Sequence, residues 1–170
     1  MAELVISAII CTHNRAQYLG AAIDSLLAQT LTNIEVIVID NASTDATAEV
    51  VQTRLSDARL RYVYEAKLGL STARNTGAQL AKGDILAYLD DDAEASPQWL
   101  ASLLEVYENN DKIAIAGGKV TLLWPPGVQH PSVCLSADPA TGLGAYYLGD
   151  QMRYIKHPSL SYRGLIYSLR

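Results

Sequence analysis

Three consecutive carboxylates, Asp90, Asp91 and Asp92, have the clearest capacity for chemistry in this chain. They directly follow an apolar run, residues 85–89, that reads as a buried strand. Adjacent like charges repel each other, and removing them from water is costly unless a positive group lies close by. A divalent cation that takes oxygen ligands would supply that charge. The triplet therefore indicates either a metal site or a solvated acidic turn.

Other polar side chains stand at the ends of predicted strands. Thr12, His13 and Asn14 follow the first strand, Asp40 follows the second, and Arg74 lies in the helix before the fourth. Singly, each has an ordinary structural explanation as a turn residue, a helix cap, an Asx-turn or a surface ion pair. In a parallel α/β sheet, however, the carboxyl ends of the strands share one edge, where ligands bind. Together with the triplet, these residues indicate a ligand site at that edge.

Short apolar runs separated by helical patterns predict the fold class. The runs that predict buried strands are residues 4–10, 34–39, 60–64 and 85–89. Apolar residues at helical spacing predict helices over residues 16–29, around residues 50–55, over residues 71–82 and after Pro97. Two more strands are predicted at residues 113–116 and 119–124. Strands that alternate with helices indicate a three-layer α/β/α fold with a mostly parallel sheet.

The helix boundaries are predicted from polar caps and glycine. Ser43 or Thr44 is expected to cap the second helix, and Ser71 the third. Ser96, before a proline, is expected to cap the fourth helix. Gly83 is expected to end the third helix.

Beyond residue 124 the alternating pattern fails. Prolines and glycines recur through residues 125–170, and half of the ten tyrosines lie between residues 146 and 167. Long irregular stretches of this kind often act as lids over a site. We therefore expect residues 1–124 to form a ligand-binding core, and residues 125–170 to form an irregular acceptor-side or lid segment that is itself incomplete.

Composition bounds the class of protein and its partners. Apolar residues make up 49% of the chain and charged residues 18%, values that are ordinary for a soluble globular protein and argue against disorder. Residues 1–111 carry a net charge of −9 and residues 112–170 carry +4. An acidic body argues against nucleic acid as a partner. The basic segment could meet an anionic substrate or a membrane surface.

The cysteines and the first residues predict a location. Cys11 lies in an apolar strand, so Cys11 and Cys134 are expected to be unpaired thiols in a reducing compartment. The first apolar run is too short for a signal peptide or a membrane span. The expected location is the cytoplasm, with peripheral contact at the cytoplasmic face of the membrane through the basic segment.

The strand-end motifs resemble those of a known family. They are IICTHNRAQYL, VIVIDNASTDAT and GLSTARNTGAQLAKGDILAYLDDD. Over residues 4–124 they are similar to the nucleotide-binding half of family 2 glycosyltransferases, which have the Rossmann-like GT-A fold. The resemblance implies transfer of a sugar, with inversion, from a nucleotide-sugar donor to an acceptor. UDP-sugar is the expected donor, and the acceptor could be a glycan, a lipid or a small molecule.

The resemblance also implies roles for the nucleotide-binding residues. Thr12 and His13 would line the nucleobase pocket together with Asn14, and His13 stands where the family more often has tyrosine. Asp40 would accept a hydrogen bond from the base. Arg74 would help to fix the base or the phosphates.

The acidic triplet matches the Asp-x-Asp motif of the family. Asp90 would face the ribose, and Asp92, with Asp90, would hold the Mn²⁺ or Mg²⁺ ion that bridges the diphosphate. Asp91 takes the variable middle position and is counted with the nucleotide-binding residues. In the family a divalent ion neutralises the charge that develops on the leaving diphosphate.

The acceptor side departs from the family pattern. Inverting transfer needs a base to deprotonate the acceptor hydroxyl, and after Asp111 only Asp138 and Asp150 remain as carboxylates. Neither lies in a recognisable acceptor-side motif, so the base is one of these two or belongs to chain outside this sequence. The alternative function is a nucleotide-sugar-binding or regulatory module without turnover. A receiver-type signalling domain is disfavoured, because such domains carry acidic residues after their first strand.

Overall fold

The fold is seen in a computed structural model that describes residues 5–118, 120 and 166–168. Its strands are β1 (Ile6–Thr12), β2 (Ile34–Asp40), β3 (Leu60–Tyr64), β4 (Ile85–Asp90) and β5 (Ile166–Ser168). Its helices are α1 (Ala16–Leu27), α2 (Thr47–Gln52), α3 (Leu70–Leu80) and α4 (Trp99–Glu108). The strands form one sheet in the order β3-β2-β1-β4-β5. All four strand pairings are parallel.

Helices cover both faces of the sheet. Alternate strand residues point to opposite sides and so contribute to two separate cores. On one face Ile10 joins a core with Ile23 of α1 and with Leu100 of α4. On the other face Ile9 and Ile39 pack with Ala73 of α3. The predicted three-layer α/β/α class with a mostly parallel sheet is therefore confirmed.

The register of the central strands aligns the chemistry-bearing ends. Thr12, the last residue of β1, is opposite Asp40, the last residue of β2. Cys11 is opposite Asp90, the last residue of β4. The strands run one or two residues further than their apolar runs, because these polar residues still take part in the ladder.

Gly83 has a different role from the helix end that was predicted for it. Helix α3 already ends at Leu80. A Cβ atom on Gly83 would lie 2.7 Å from the backbone nitrogen of Ser7 and 2.8 Å from the carbonyl carbon of Ile6. The glycine is required because the chain enters β4 in direct contact with the backbone of β1.

The predicted helix caps are wrong. None of the helices α1 to α4 has a side-chain hydrogen bond from its cap residue. Helix α3 begins after Gly69, so Ser71 lies inside its first turn. Ser96 lies before the cap residue of α4, and its carbonyl oxygen accepts a hydrogen bond from the backbone nitrogen of Trp99 at 2.9 Å. Ser43 and Thr44 are instead bonded to Asn14.

The strand predicted at residues 113–116 is also wrong, since those residues form no strand. The edge of β4 that a further strand would join is paired with β5. Of residues 119–124, only Val120 is among the described residues, and it is not in a strand. The expected irregular segment, residues 125–170, lies outside the described residues except for β5. Within the described part of the chain, no helix is long and apolar enough to cross a membrane.

Candidate functional site

The ends of β1 and β4 are joined through a buried hydrogen bond. Thr12 is 3% exposed, and its hydroxyl donates to Oδ2 of Asp91 at 2.8 Å. The middle carboxylate of the triplet is therefore turned toward β1. Burial raises the pKa of Asp91, and the charges of Asp92 and Asp90 raise it further, while the Thr12 hydrogen bond and the positive charge of Arg15 oppose the rise.

Arg15, which was not among the residues predicted for the site, faces the triplet from the start of α1. Its Nε lies 3.3 Å from Oδ1 of Asp91, and its Nη2 donates to Oδ2 of Asp92. The Arg15 side chain is 42% exposed, whereas each of these two carboxylate side chains is 9% exposed. The guanidinium also lies over the ring of Tyr18, 5.2 Å from its centroid. The sequence could have indicated Arg15, because three neighbouring carboxylates are stabilised by a nearby cation.

Arg74 approaches the remaining carboxylate, Asp90, from α3. Its Nη2 lies 3.9 Å from Oδ1 of Asp90, an ion pair of partly exposed groups. The hydroxyl of Tyr88 in β4 donates to the backbone carbonyl of Arg74 at 3.0 Å, which ties α3 to the sheet. The three aspartates thus meet two different arginines.

Asn41, a second residue that was not predicted for the site, joins three segments of the chain there. Its backbone nitrogen donates to the carbonyl of Thr12 at 2.8 Å. Its side-chain nitrogen donates to the carbonyl of Lys67 at 2.8 Å, and its side-chain oxygen accepts from the nitrogen of Gly69 at 2.7 Å. Gly69 has a φ of +145°, which only glycine adopts readily. The loops after β2 and β3 and the end of β1 are therefore held together by one buried residue, Asn41.

His13 and Asn14 connect the loops after β1 and β2. Nδ1 of His13 lies 2.7 Å from the carbonyl oxygen of Asn41, and Nε2 lies 3.2 Å from Nδ2 of Asn14. A neutral ring with its proton on Nδ1 satisfies both contacts, because Nδ1–H donates to the carbonyl and Nε2 accepts from the amide. Asn14 has a φ of +53°, accepts from the nitrogen of Thr44 at 2.7 Å and donates its backbone nitrogen to Oγ of Ser43 at 2.9 Å.

Asp40 is 2% exposed and both of its carboxylate oxygens have partners. Oδ1 accepts from the nitrogen of Ser43 at 2.9 Å, and Oδ2 accepts from the hydroxyl of Tyr62 at 2.6 Å. Burial and the hydrogen bond to Asp40 raise the pKa of Tyr62. The contact with Ser43 reaches three residues along the chain, one residue further than in the Asx-turn that the sequence also allowed. Since each carboxylate oxygen has a second lone pair, Asp40 retains capacity to accept from a ligand.

The structure thus gathers at one sheet edge the residues predicted from strand ends together with Arg74 of α3. The strand-end residues are Thr12, His13, Asn14, Asp40, Asp90, Asp91 and Asp92. Asp138 and Asp150, the candidates for the base, lie outside the described residues. Within residues 5–118, no group of three or more His, Cys, Asp or Glu side chains is arranged to hold a metal ion. Mg²⁺ in phosphate-processing sites is usually held by one or two carboxylates together with substrate phosphates. The outer carboxylates of the triplet fit that smaller set of ligands.

Known proteins resemble this chain in sequence. The family model described as "Glycosyl transferase family 2" matches residues 7–157. A glucosyl-dolichyl phosphate glucuronosyltransferase from Haloferax volcanii is 31% identical over 123 residues, which cover 70% of this chain and 39% of that protein. The chain spans well under half the length of the curated relatives it matches.

Solved structures share the same architecture. The mannosyltransferase PcManGT from Pyrobaculum calidifontis, in complex with GDP-Man and Mn²⁺, aligns with a TM-score of 0.63 and 25% identity, covering 70% of this chain and 36% of that one. S. aureus TarS, residues 1–349, aligns with a TM-score of 0.65 and 22% identity, covering 74% and 38%. TarS supports the GT-A fold alone. Because the family model matches residues 7–157, which is most of the sequence, this chain belongs to glycosyl transferase family 2.

Proposed function

We propose that this chain is the donor-binding part of a metal-dependent glycosyltransferase that transfers a sugar, with inversion, from a nucleotide-sugar to an acceptor. The observation that carries the proposal is the convergence of the ends of β1, β2 and β4, with Arg74, at one sheet edge. Membership of glycosyl transferase family 2 supports sugar transfer as the reaction.

The proposed nucleotide pocket is built from residues whose positions are already fixed by the protein. Thr12, His13 and Asn14 would line the base, Asp40 would accept a hydrogen bond from it, and Arg74 would contact the base or the phosphates. The hydrogen bonds made by Asn41 support this assignment, because they hold the three loops in place before a ligand arrives. A preorganised site loses less conformational entropy on binding.

The outer carboxylates would hold the metal. Asp92, with Asp90, would bind Mn²⁺ or Mg²⁺, and PcManGT, a structural neighbour that was solved with Mn²⁺, supports a divalent ion here. A bound ion would act as a Lewis acid on the diphosphate leaving group. For Asp91 we propose a role other than the nucleotide binding that the family resemblance implied. Its contacts with Thr12 and Arg15 support a positioning role.

The nucleotide of the donor is best tested with a panel that contains both UDP and GDP. UDP is the expectation from family resemblance, whereas PcManGT was solved with GDP-Man. The acceptor is proposed only as a class: a glycan, a lipid or a small molecule. A lipid acceptor would bring the basic segment to the cytoplasmic face of a membrane, which co-sedimentation with anionic vesicles would detect.

The first test measures the metal dependence of nucleotide binding. We expect calorimetry to show tight binding of one nucleoside diphosphate in Mn²⁺ and much weaker binding in EDTA, because the carboxylates and the diphosphate repel each other without the cation. Asp92→Ala should lose the effect of the metal. Asp111→Ala removes an exposed carboxylate after α4 and is the matched control. Equal affinity in Mn²⁺ and EDTA would contradict the proposed role of the metal.

The second test asks whether this chain completes the transfer. We expect donor binding with slow transfer, because the loss of a positioned base typically lowers a rate about 10²–10⁴-fold. Release of nucleotide from a panel of UDP- and GDP-sugars should be compared among the unmodified chain, Asp138→Asn and Asp150→Asn. Fast transfer abolished by one of these changes would identify the base. Binding without release under any condition would favour the alternative of a nucleotide-sugar-binding module.

A further inference from the structure

Arg15 is the cation that faces the carboxylate assigned to the metal. Its Nη2 donates to Oδ2 of Asp92, while its Nε lies 3.3 Å from Oδ1 of Asp91. Thr12 holds the second oxygen of Asp91 at 2.8 Å. Asp91 is therefore fixed by β1, and Arg15 bridges from that fixed carboxylate to Asp92.

The bridge made by Arg15 is less complete than the ion pairs of Arg54 and Arg59. Arg54 and Arg59 each bind one carboxylate through both Nε and Nη2, with distances of 2.7–3.0 Å. Arg15 instead spans two carboxylates, and among the described residues its buried Nε finds no hydrogen-bond partner. Its side chain is also 42% exposed. Because the Arg15 guanidinium is partly exposed and incompletely hydrogen-bonded, it can break its contact with one carboxylate while the surrounding chain stays folded.

We infer that Arg15 is an internal counter-ion that competes with the divalent cation for Asp92, so that a metal ion entering without nucleotide must first displace the guanidinium. The inference rests on the proposed function, because it takes Asp92 as the metal ligand. Arg15 is a positioning residue in this scheme. It neutralises two poorly solvated carboxylates when the metal is absent, and it lowers the affinity of the site for metal alone.

The competition has a consequence for the order of binding. A nucleoside diphosphate brings negative charge, which offsets both the metal ion and a displaced Arg15. Metal and diphosphate should therefore bind more tightly together than separately, and each must raise the affinity of the other by the same factor. Removing the positive charge of Arg15 should strengthen binding of the metal alone and reduce this coupling.

The test measures binding of Mn²⁺ alone to the 170-residue chain, from the loss of the electron paramagnetic resonance signal of free Mn²⁺. We expect Arg15→Gln to bind Mn²⁺ about tenfold more tightly than the unmodified chain, which equals about 1.4 kcal/mol. Arg15→Lys keeps the charge and should stay within a few-fold of the unmodified chain. Arg54→Gln removes an arginine paired with Asp24, away from the triplet, and should change nothing.

Equal or weaker Mn²⁺ binding by Arg15→Gln, including no detectable binding by either protein, would overturn the inference. A measurement on the unmodified chain covers the case in which Arg15→Gln does not fold. Adding Mg²⁺ to saturation should shift the side-chain Nε resonance of Arg15 in a nitrogen-15 spectrum, and an unchanged resonance would also overturn it. If Mn²⁺ fails to bind even with a nucleoside diphosphate present, it is the proposed metal-dependent function that fails.

Discussion

Single residues show how environment gives different roles to identical side chains. Asp90, Asp91 and Asp92 are adjacent, yet the Asp90 side chain is 37% exposed and pairs with Arg74, whereas the other two are 9% exposed and face Arg15. Burial raises the pKa of the middle carboxyl. The triplet therefore has one carboxylate, Asp91, that is held by Thr12 of β1, between two carboxylates that each pair with an arginine.

Glu35 is a buried carboxylate with a structural role at the other end of the strands. Its Oε1 accepts from the hydroxyl of Ser7 and from the backbone nitrogen of Lys82, each at 2.7 Å, and its Oε2 accepts from Nη1 of Arg61 at 2.7 Å. Burial alone would raise the pKa of Glu35, but these hydrogen bonds and the charge of Arg61 outweigh it, so the pKa lies below its usual value of 4.5.

The lowered pKa predicts how the stability provided by Glu35 depends on pH. The stabilisation is fully present above about pH 4.5 and is lost as the pH falls through the lower folded-state pKa, because the unfolded carboxylate binds its proton first. Glu35→Gln should lower the free energy of unfolding by about 1–3 kcal/mol near neutral pH. The difference from the unmodified chain should shrink as the solution is acidified, as measured by urea unfolding.

Glu49→Gln is the control for this prediction, because Glu49 is an exposed carboxylate on α2. It should leave the unfolding free energy within about 0.5 kcal/mol of the unmodified chain. A loss from Glu35→Gln that stayed constant from neutral to acid pH would contradict the role given to the ionised carboxylate.

At the scale of elements, the position of α3 depends on a glycine that faces the sheet. A Cβ atom on Gly77 would lie 2.7 Å from Cγ2 of Ile9 and 3.4 Å from Cγ1 of Ile39. Arg74 lies one turn earlier on the same helix. Any outward shift of α3 therefore moves a residue of the proposed nucleotide site.

Gly77→Ala should destabilise the protein, because overpacking typically costs about 1–3 kcal/mol and outweighs the gain of about 0.5–1 kcal/mol from alanine in a helix. Nucleoside diphosphate affinity should fall as well, through the shift of Arg74. Chemical unfolding and calorimetry measure the two effects. Gly20→Ala is the matched control in α1, where the added Cβ meets only the flexible end of Arg54 at 2.9 Å. Equal effects of the two changes would contradict the close packing of α3.

The helices and strands also show which parts of the fold could be predicted from the sequence. The strands β1, β2 and β4 were found because they are largely buried and their apolar runs are almost unbroken. The cap predicted for α2 was wrong because Ser43 and Thr44 bond to Asn14, a residue some 30 positions earlier in the chain. The strand predicted at residues 113–116 was wrong because apolar composition alone does not show that the edge of β4 is taken by β5.

For the whole molecule, the parallel topology explains why the site could be located but not detailed from sequence. Strand ends of a parallel sheet converge by geometry, so the polar residues after β1, β2 and β4 were expected to meet. The contacts of Arg15 and Asn41 instead depend on loop conformations, including positive φ angles of 53° at Asn14 and 58° at Ala42. Asparagine and alanine in a sequence do not indicate a positive φ angle as reliably as glycine does.

The hydrogen bond between Thr12 and Asp91 spans 79 positions of the chain, because β1 is made first and β4 last among the four strands of the core. At a synthesis rate of about 5–20 residues per second, roughly 4–16 s pass between the synthesis of β1 and that of β4, its second neighbour in the sheet. Throughout that interval one edge of β1 presents unpaired backbone groups, which are a template for association with other chains. The strand at the centre of the finished sheet is thus an open edge of the nascent chain, and the cluster of Thr12, Arg15, Asp91 and Asp92 assembles only when that edge closes.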